Sequence, residues 1–326
     1  MAQDLGVPCT RHVVAVDVGG TETKAALVGI TDSGEAVVLD RRRRPTPRPE
    51  DGDTAATGVI DLVVTLVDEL RADPQLAGNH PDGIGVVVPG IVDEERGVGV
   101  MSANLGWRNV PFRELIGTRT GLPVAFGHDV RAGGLAEFRL GAARGLTDAV
   151  FLPIGTGIAG ALILGGRLHG GGGYAGEIGH VDVGHGEPCR CGQRGCLEHV
   201  ASSAAVARRY TARTGRPVAG AAEVAAAVRE GDRDAVAVWD EAVRSLARGI
   251  LLLATVLAPE AVVLGGGLAL AGDLLTRPLA EHLDRLVSFQ RRPELRLAQL
   301  GDQAGCLGAA LLAADLTATA GPAKAG

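Results

Sequence analysis

The chain has 326 residues, enough for two domains; 46% are apolar and only 3% aromatic, so its core must consist of Ala, Val, Leu and Ile. The net charge of −6 argues against general nucleic-acid binding. Its five cysteines do not suggest a disulfide scaffold, and no secretory segment or membrane-length apolar run is visible, so we expect a cytoplasmic protein that binds neither nucleic acid nor membrane.

The first informative segment, Asp17–Lys24, joins two apolar runs that read as strands. The turn Gly19-Gly20-Thr21 lets the backbone approach a bulky anion, and its N–H groups can form an anion-binding nest. Asp17, just ahead of the turn, can face the phosphates through a water or a magnesium ion. This pattern predicts a hairpin that binds ATP; a plain hairpin with a tight turn is the alternative.

The next elements follow from hydrophobic spacing. Residues 13–40 predict two or three strands, and Asp53–Leu70 predicts a helix. Gly83–Val88 and Pro123–Phe126 predict strands, and Ala132–Phe138 a helix. The basic run Arg41-Arg42-Arg43-Arg44 leads into prolines, which predicts a solvated loop.

A second strand-turn-strand segment, Ala149–Ile163, has the turn Gly155-Thr156-Gly157 and resembles the first. This weak internal repeat predicts a duplicated domain with two phosphate-binding hairpins facing one cleft, unless it is coincidence in a chain with 49 glycines.

The chain after Cys196 reads as mainly helical. Helices are predicted over Ala205–Thr214, Ala221–Arg229 and Asp234–Leu257, and a strand over Ala261–Leu264. The glycines that follow this strand, Gly265-Gly266-Gly267, suit close backbone contact with a nucleotide base or ribose.

A cysteine cluster is the strongest metal signal. Cys189, Cys191 and Cys196 lie within eight residues, with glycines that allow a tight knuckle, and three thiolates suit tetrahedral zinc. A fourth ligand is needed, for which His180, His185 and His199 are candidates; we favour His180 because it closes the compact Glu177–His180 segment. Four protein ligands leave no open position, so we expect structural zinc. Reduced cysteines in a loop are the alternative.

Phosphoryl transfer to a hydroxyl needs a carboxylate that accepts its proton. Asp129 follows a predicted strand end and is the best candidate, although it could equally cap the next helix. Asn104, Glu177, His180 and Glu198 are candidate sugar contacts, because several fixed polar groups are needed to hold hydroxyls.

Five motifs together resemble the ROK (repressor, open reading frame, kinase) family of sugar kinases over residues 13–315. They are Asp17-x-Gly19-Gly20-Thr21-x-x-Lys24, Val88-Pro89-Gly90-Ile91-Val92-Asp93, Asn104-Leu105-x-Trp107, Glu177-x-Gly179-His180, and Cys189-x-Cys191-Gly192-x-x-Gly195-Cys196-x-Glu198.

The resemblance implies an α/β, actin-like ATPase (hexokinase-like) fold with two lobes around a cleft, and ATP- and Mg²⁺-dependent phosphorylation of a hexose 6-hydroxyl. We place the small lobe at residues 1–127, completed by a helix at about 303–317, the large lobe at 128–302 with a zinc knuckle at 180–198, and a flexible tail at 318–326. The resemblance also implies a homodimer or homotetramer.

The same resemblance implies roles for individual residues. Asp129 is the implied general base, and Cys189, Cys191, Cys196 and His180 are the implied zinc ligands. Sugar contacts are implied for Gly90, Asn104, His128, Asp129, Glu177, His180 and Glu198. Phosphate or adenosine contacts are implied for Asp17, Gly19, Gly20, Thr21, Lys24, Gly155, Thr156, Gly157, Gly265, Gly266 and Gly267.

One departure concerns the sugar. The family usually has Asn-Asp, often Asn-Asp-Ala-Asn, where this chain has His128-Asp129-Val130-Arg131. Neutral His offers one donor and one acceptor on a wider ring than the Asn amide. This departure puts the sugar preference in question, and from the resemblance we favour N-acetylglucosamine as substrate, with glucose as the alternative.

The family also contains sugar-sensing repressors. These carry a DNA-binding segment ahead of the kinase-like body, and only 16 residues precede Asp17 here. A sugar-binding protein without catalysis is a further alternative, against which the intact Asp17, Asp129 and glycine turns argue.

Overall fold

Buried apolar strands form the centre of each half of the chain. In this computed structural model, which describes residues 9–48 and 52–320, the chain divides into two units. The first unit extends to Ala136 and adds Gly171–Tyr174 and the residues from Gln303 onward; the second contains Glu137–Gly170 and Ala175–Asp302. The division falls nine residues beyond the predicted boundary after residue 127.

Thirteen strands and ten α-helices are found in the described residues. The chain begins with β1 Cys9–Val18, β2 Glu22–Thr31, β3 Ala36–Pro45, α1 Gly52–Ala72, β4 Gly83–Val88, β5 Ile91–Asp93, β6 Val98–Met101, β7 Arg108–Val110, α2 Phe112–Thr120, β8 Val124–His128 and α3 Asp129–Leu140. It continues with β9 Ala149–Pro153, β10 Ala161–Leu164, β11 Arg167–His169, α4 Leu197–Ala201, α5 Ser203–Thr214, α6 Ala221–Arg229, α7 Arg233–Leu257, β12 Ala261–Gly265, α8 Gly266–Ala269, α9 Asp273–Leu286, β13 Glu294–Leu297 and α10 Ala304–Ala320. No helix in these described ranges has the length and apolar character needed to cross a bilayer.

The two five-stranded sheets share one topology. The first has the order β3-β2-β1-β4-β8 and the second the order β11-β10-β9-β12-β13. In each sheet the first three strands in sequence are antiparallel and the last two are parallel additions. This common order agrees with the internal repeat predicted from the two glycine turns. A small sheet, β5-β6-β7, belongs to the first unit.

The basic run is a strand, and its prediction as a loop was wrong. Residues 41–44 lie in β3, the edge strand that pairs with β2. Arg43 forms an ion pair with Glu22, and Arg44 one with Glu69. Charged side chains on an edge strand are a usual protection against pairing with another chain, so the charge run fits a strand as well as a loop.

Small residues allow the last helix to approach the first sheet closely. One face of the sheet packs against α1 and α2, and the other, rich in alanine, packs against α10. A Cβ on Gly85 of β4 would collide with the carbonyl oxygen of Ala309 in α10, so only glycine fits there. The helix extends to Ala320, so residues 318–320 of the predicted flexible tail are helical, and the rest of that tail lies outside the described residues.

A buried carboxylate connects the end of α3 to the segment after β13. Glu137 is fully buried, and its Oε2 accepts hydrogen bonds from the amides of Ala142 at 2.8 Å and Gln299 at 3.2 Å. Its Oε1 accepts one from the Leu300 amide at 2.8 Å. Three charge-assisted bonds offset the cost of burying the carboxylate.

Glu137→Ala should strongly destabilise the protein, because it leaves three backbone amides without their acceptor. We expect a loss of about 3 kcal/mol or more. Thermal unfolding should show a melting temperature lowered by roughly 6 °C or more. The matched control is Glu281→Ala. The Glu281 side chain is 57% exposed, and its ion pair with Arg285 is long, at 3.9 Å. Equal melting temperatures for the two variants would contradict this account.

Candidate active site and metal centre

The turn between β1 and β2 consists of Gly19, Gly20 and Thr21, as the sequence predicted. The amide of Gly19 donates to the carbonyl of Glu22 at 3.0 Å, which closes the turn. Asp17 lies directly before it and pairs in the ladder with Lys24. The predicted phosphate residues of the first unit therefore gather at one end of one hairpin.

A segment that the sequence analysis did not single out fastens this turn. Thr46 donates its amide to the Thr21 carbonyl at 2.9 Å and its hydroxyl to the Gly19 carbonyl at 2.7 Å. The Arg48 guanidinium donates to the Gly20 carbonyl at 2.7 Å and to the Thr21 hydroxyl at 3.1 Å. The Arg48 side chain thus places a positive charge on the glycine turn. Recognising β3 as a strand paired with β2 would have brought these residues to the turn.

Asp129 begins α3 at the carboxyl end of β8. Its Oδ1 accepts from the amide of Val130 at 2.7 Å, and its side chain remains 28% exposed. Burial, and secondly the negative charge of Asp17, raise the pKa of Asp129 to about 7. A carboxyl that titrates near neutrality is suited to accepting a proton, so the helix-start position and a general-base role are compatible here.

His128, the last residue of β8, lies beside the proposed base. Its Nδ1 is 3.2 Å from the Val130 amide and 3.3 Å from Asp129 Oδ1. Burial, and secondly the charge of Arg131, lower the pKa of His128 to about 3. The ring is therefore uncharged at neutral pH and offers one donor and one acceptor nitrogen, of which Nδ1 faces Val130 and Asp129.

The other predicted sugar contacts of the first unit lie in loops. Gly90 follows β4 with φ +108°, and a Cβ there would collide with the carbonyl of Met101. Asn104 is exposed at the tip of the turn between β6 and β7. Its neighbours Leu105 and Trp107 are buried and anchor that turn, so the Asn104 amide is presented to solvent on a fixed support.

The second glycine turn, in the second unit, is supported by Glu198. Gly155 donates its amide to the carbonyl of Gly157 at 3.0 Å, and Thr156 between them is exposed. Glu198 Oε2 accepts from the Ile158 amide at 2.8 Å, and a Cβ on Gly157 would lie 2.6 Å from the same oxygen. Glu198, predicted as a sugar contact, thus directly holds the predicted phosphate turn.

The third glycine segment joins the second through Ile154. The Ile154 amide donates to the carbonyl of Gly265 at 2.9 Å, and its carbonyl accepts from the Leu268 amide at 3.0 Å. Gly266 has φ +73°, and a Cβ there would lie 2.6 Å from the Ile154 backbone. Gly267 borders a cavity of about 100 Å³. The cavity is lined by Ala221, Ala222, Ala225, Arg229, Trp239, Gly267, Leu268, Leu270 and Ala271.

The four predicted metal ligands converge in the second unit. One ligand atom from each of His180, Cys189, Cys191 and Cys196 lies within 4.8 Å of the others. Sγ of Cys191 and Sγ of Cys196 are 3.6 Å apart, close to the roughly 3.8 Å that tetrahedral Zn–S bonds of about 2.3 Å would give. His180 Nδ1 is buried without a hydrogen-bond partner. The donor set and the orphaned nitrogen both fit zinc.

The alternative histidine ligands are engaged elsewhere. His185 Nε2 lies 3.0 Å from the Cys196 carbonyl, and its Nδ1 accepts from the Glu187 amide at 3.1 Å. His199 Nε2 is 3.2 Å from Glu187 Oε2, which is itself part of a carboxylate paired with Arg209. Only His180 joins the thiols within the described residues, as favoured from the sequence.

Backbone geometry shapes the loop that carries these ligands. Gly195 has φ +77°, and a Cβ there would collide with Asp182, so a larger residue cannot precede Cys196. The Gly195 carbonyl accepts from the Val183 amide at 2.8 Å. Glu177 is exposed immediately before the short turn Ile178–His180. The loop therefore fixes the position of Glu177 and, through Cys196, that of Glu198.

Comparison with known proteins finds relatives that match nearly the whole chain. The ROK family matches residues 13–316. A glucokinase of Halalkalibacterium halodurans is 34% identical over 91% of this chain and 93% of its own length. An N-acetylmannosamine kinase of Escherichia coli is 32% identical over 92% of this chain and 97% of its own.

Comparison with solved structures also finds proteins of the ROK family. A ROK hexokinase from Thermus thermophilus is 35% identical, with a TM-score of 0.79, over 95% of this chain and 100% of that one. A ROK glucokinase from Streptomyces griseus, solved with glucose and AMPPNP, is 30% identical, with a TM-score of 0.77, over 93% of this chain and 99% of that one. The predicted actin-like ATPase fold is confirmed, and the chain belongs to the ROK family.

Proposed function

We propose that the protein is an ATP-dependent hexose kinase that phosphorylates the 6-hydroxyl of a gluco-configured sugar, with glucose preferred. The observation that carries the proposal is the Asp129 carboxyl, whose pKa of about 7 suits a general base. The glucokinase relatives support glucose ahead of N-acetylglucosamine, which the sequence analysis favoured. The N-acetylmannosamine kinase relatives keep acetamido sugars as the second candidates.

In the proposed reaction, Asp129 accepts the proton of the sugar hydroxyl while the hydroxyl oxygen attacks the γ-phosphorus of ATP. The bond from that phosphorus to the bridging oxygen breaks, and ADP leaves with the bond electrons. Neutral His128 holds a substrate oxygen as a hydrogen-bond donor, and Gly90 and Asn104 of the same unit provide further contacts. In the second unit, Glu177, His180 and Glu198 remain proposed sugar contacts.

The phosphates are proposed to bind at the glycine turns. Backbone amides of Gly19–Thr21 and Gly155–Gly157 can donate to phosphate oxygens. Arg48 adds a guanidinium to the first turn. Mg²⁺ held with ATP near Asp17 would offset the phosphate charge. The Gly265–Gly267 segment and its cavity would receive the adenosine.

Zinc is proposed to have a structural role. With four protein ligands, it would keep the loop around Gly195 closed and fix Glu198, which holds the Gly155–Gly157 turn. His180 could still donate from its second ring nitrogen to a sugar oxygen.

Release of ADP with Mg-ATP tests the function directly. The panel contains glucose, mannose, fructose, N-acetylglucosamine and N-acetylmannosamine, and Asp129→Asn serves as the matched catalytic blank. We expect the highest kcat/KM with glucose. A higher value with an acetamido sugar would reject the glucose preference. No turnover with any sugar, in protein with its zinc bound, would reject the kinase and favour a sugar sensor.

Asp129→Asn should also change how stability depends on pH. The folded-state pKa of Asp129 is about 7 against an ordinary 3.8, so the favourable contribution of its protonated form is present below pH 3.8 and lost as the pH rises through 7. Relative to the wild type, the variant should therefore gain about 4 kcal/mol above pH 7 and little near pH 4.

Melting temperatures measured from pH 4 to 9 without Mg²⁺ provide this test. Asp61→Asn is the control, because the Asp61 side chain is 56% exposed. Its melting temperature should follow the wild-type pH dependence. A difference between Asp129→Asn and wild type that is the same at every pH would refute the raised pKa.

Cys191→Ser should lose metal and stability together, because metal binding is coupled to folding. Zinc content by elemental analysis and the melting temperature should both fall. Cys9→Ser is the control, since Cys9 lies outside the cluster. If Cys191→Ser keeps its zinc and its melting temperature, the structural-zinc proposal is wrong.

A further inference from the structure

Arg131 is a charged side chain in an unusual place. It lies in the first turn of α3, two residues after Asp129, and is 2% exposed. The guanidinium stays protonated even when buried, because its pKa in water exceeds that of other side chains. A buried cation so near the proposed base must influence the energy of any charge formed there.

The contacts of Arg131 are specific but incomplete. Its Nε is 2.7 Å from Glu94 Oε1, and its Nη1 donates to the carbonyl of Gly173 at 3.3 Å. Its Nη2 is buried without a partner in the described structure. A buried donor without a partner costs stability, and such costs are commonly found at functional sites.

Glu94 joins Arg131 to the residue before the base. Its Oε1 also accepts from the backbone amide of His128 at 3.3 Å. One carboxylate oxygen therefore contacts two of the three positions at which this chain departs from the Asn-Asp-Ala-Asn pattern, His128 and Arg131. Asp129 lies between those two positions in sequence, so its backbone is held on both sides.

We propose that Arg131 is a positioning residue for phosphoryl transfer: paired with Glu94, it fixes the junction of β8 and α3 that carries Asp129, and its charge favours the ionised base. The proposal rests on the proposed kinase function. The Arg131–Glu94 ion pair thus contributes to the reaction as well as to the fold.

The charges around Asp129 support this assignment. Asp17 of β1 raises the pKa of Asp129, and Arg131 lowers it. His128 is uncharged at neutral pH, and burial raises the pKa of the Cys306 thiol of α10 to about 12. Glu94, which follows β5, is the ion-pair partner of Arg131 and offsets its charge. Burial has the largest effect on the pKa of Asp129, and Asp17 and Arg131 then shift it in opposite directions.

Three variants separate charge from positioning. Arg131→Asn introduces the residue that is usual in the family and removes the positive charge. Arg131→Lys keeps the positive charge but lacks the planar guanidinium group with its several N–H donors. Glu94→Gln keeps an acceptor and removes the opposing charge. In a plot of kcat against pH, the midpoint of the rise on the acidic side should move to higher pH by about one unit in Arg131→Asn and to lower pH in Glu94→Gln.

Arg131→Lys should leave this midpoint in place and lower kcat by about tenfold, because the Gly173 and Glu94 contacts need the planar guanidinium group. KM for ATP should change little in all three variants, since none removes a proposed phosphate contact. If Arg131→Asn leaves both the midpoint and kcat unchanged and lowers only the melting temperature, Arg131 is merely structural and the proposal fails.

A second readout does not depend on turnover. The ¹³C carboxyl resonance of Asp129, assigned by its loss in Asp129→Asn, reports the pKa of Asp129 without substrate. The same opposite shifts are expected in Arg131→Asn and Glu94→Gln. If the pKa of Asp129 shifts in the variants but the wild type phosphorylates no sugar, the electrostatic effect of Arg131 stands and the kinase function is rejected. If the wild type is active but the pKa of Asp129 does not shift in the variants, only the effect of Arg131 on Asp129 is rejected. If Arg131→Asn does not fold, the other two variants decide the outcome.

Discussion

Two carboxylates of the first unit, Asp17 and Asp129, are close enough that the charge of Asp17 disfavours ionisation of Asp129. Asp17 is the second-last residue of β1, and Asp129 begins α3 after β8, which lies two strands from β1 in the same sheet. Burial, and secondly this repulsion, raise the pKa of Asp129 to about 7. This arrangement costs stability at neutral pH, and that same cost makes Asp129 able to accept a proton.

The close packing of small residues brings α10 against the same carboxylate, Asp17. α10 packs on the alanine-rich face of the first sheet, and a Cβ on Gly305, near its start, would lie 2.5 Å from Asp17 Oδ2. A helix with larger residues at these positions would stand further from the sheet. The abundance of glycine and alanine in the composition is thus related to the site as well as to the core.

The second unit achieves rigidity by a different means. Its metal-ligand loop, its glycine turns and Glu198 form a continuous chain of contacts, from Cys196 through Glu198 to Ile158. Glu187 and Arg209 hold the same loop from outside. An irregular segment without a core of its own depends on such local bonds, and metal binding by the four predicted ligands would add to them.

The sequence by itself determined what depends on near neighbours: both glycine turns, the thiol cluster with His180, and most strands and helices. Short-range spacing and turn chemistry are readable because they involve residues a few positions apart. Other features depended on partners far along the chain. Tertiary structure alone decided that residues 41–44 form an edge strand, that Thr46 and Arg48 hold the first turn, and that Glu94 meets Arg131. Burial and distance in space, which no local pattern encodes, also decided the pKa of Asp129.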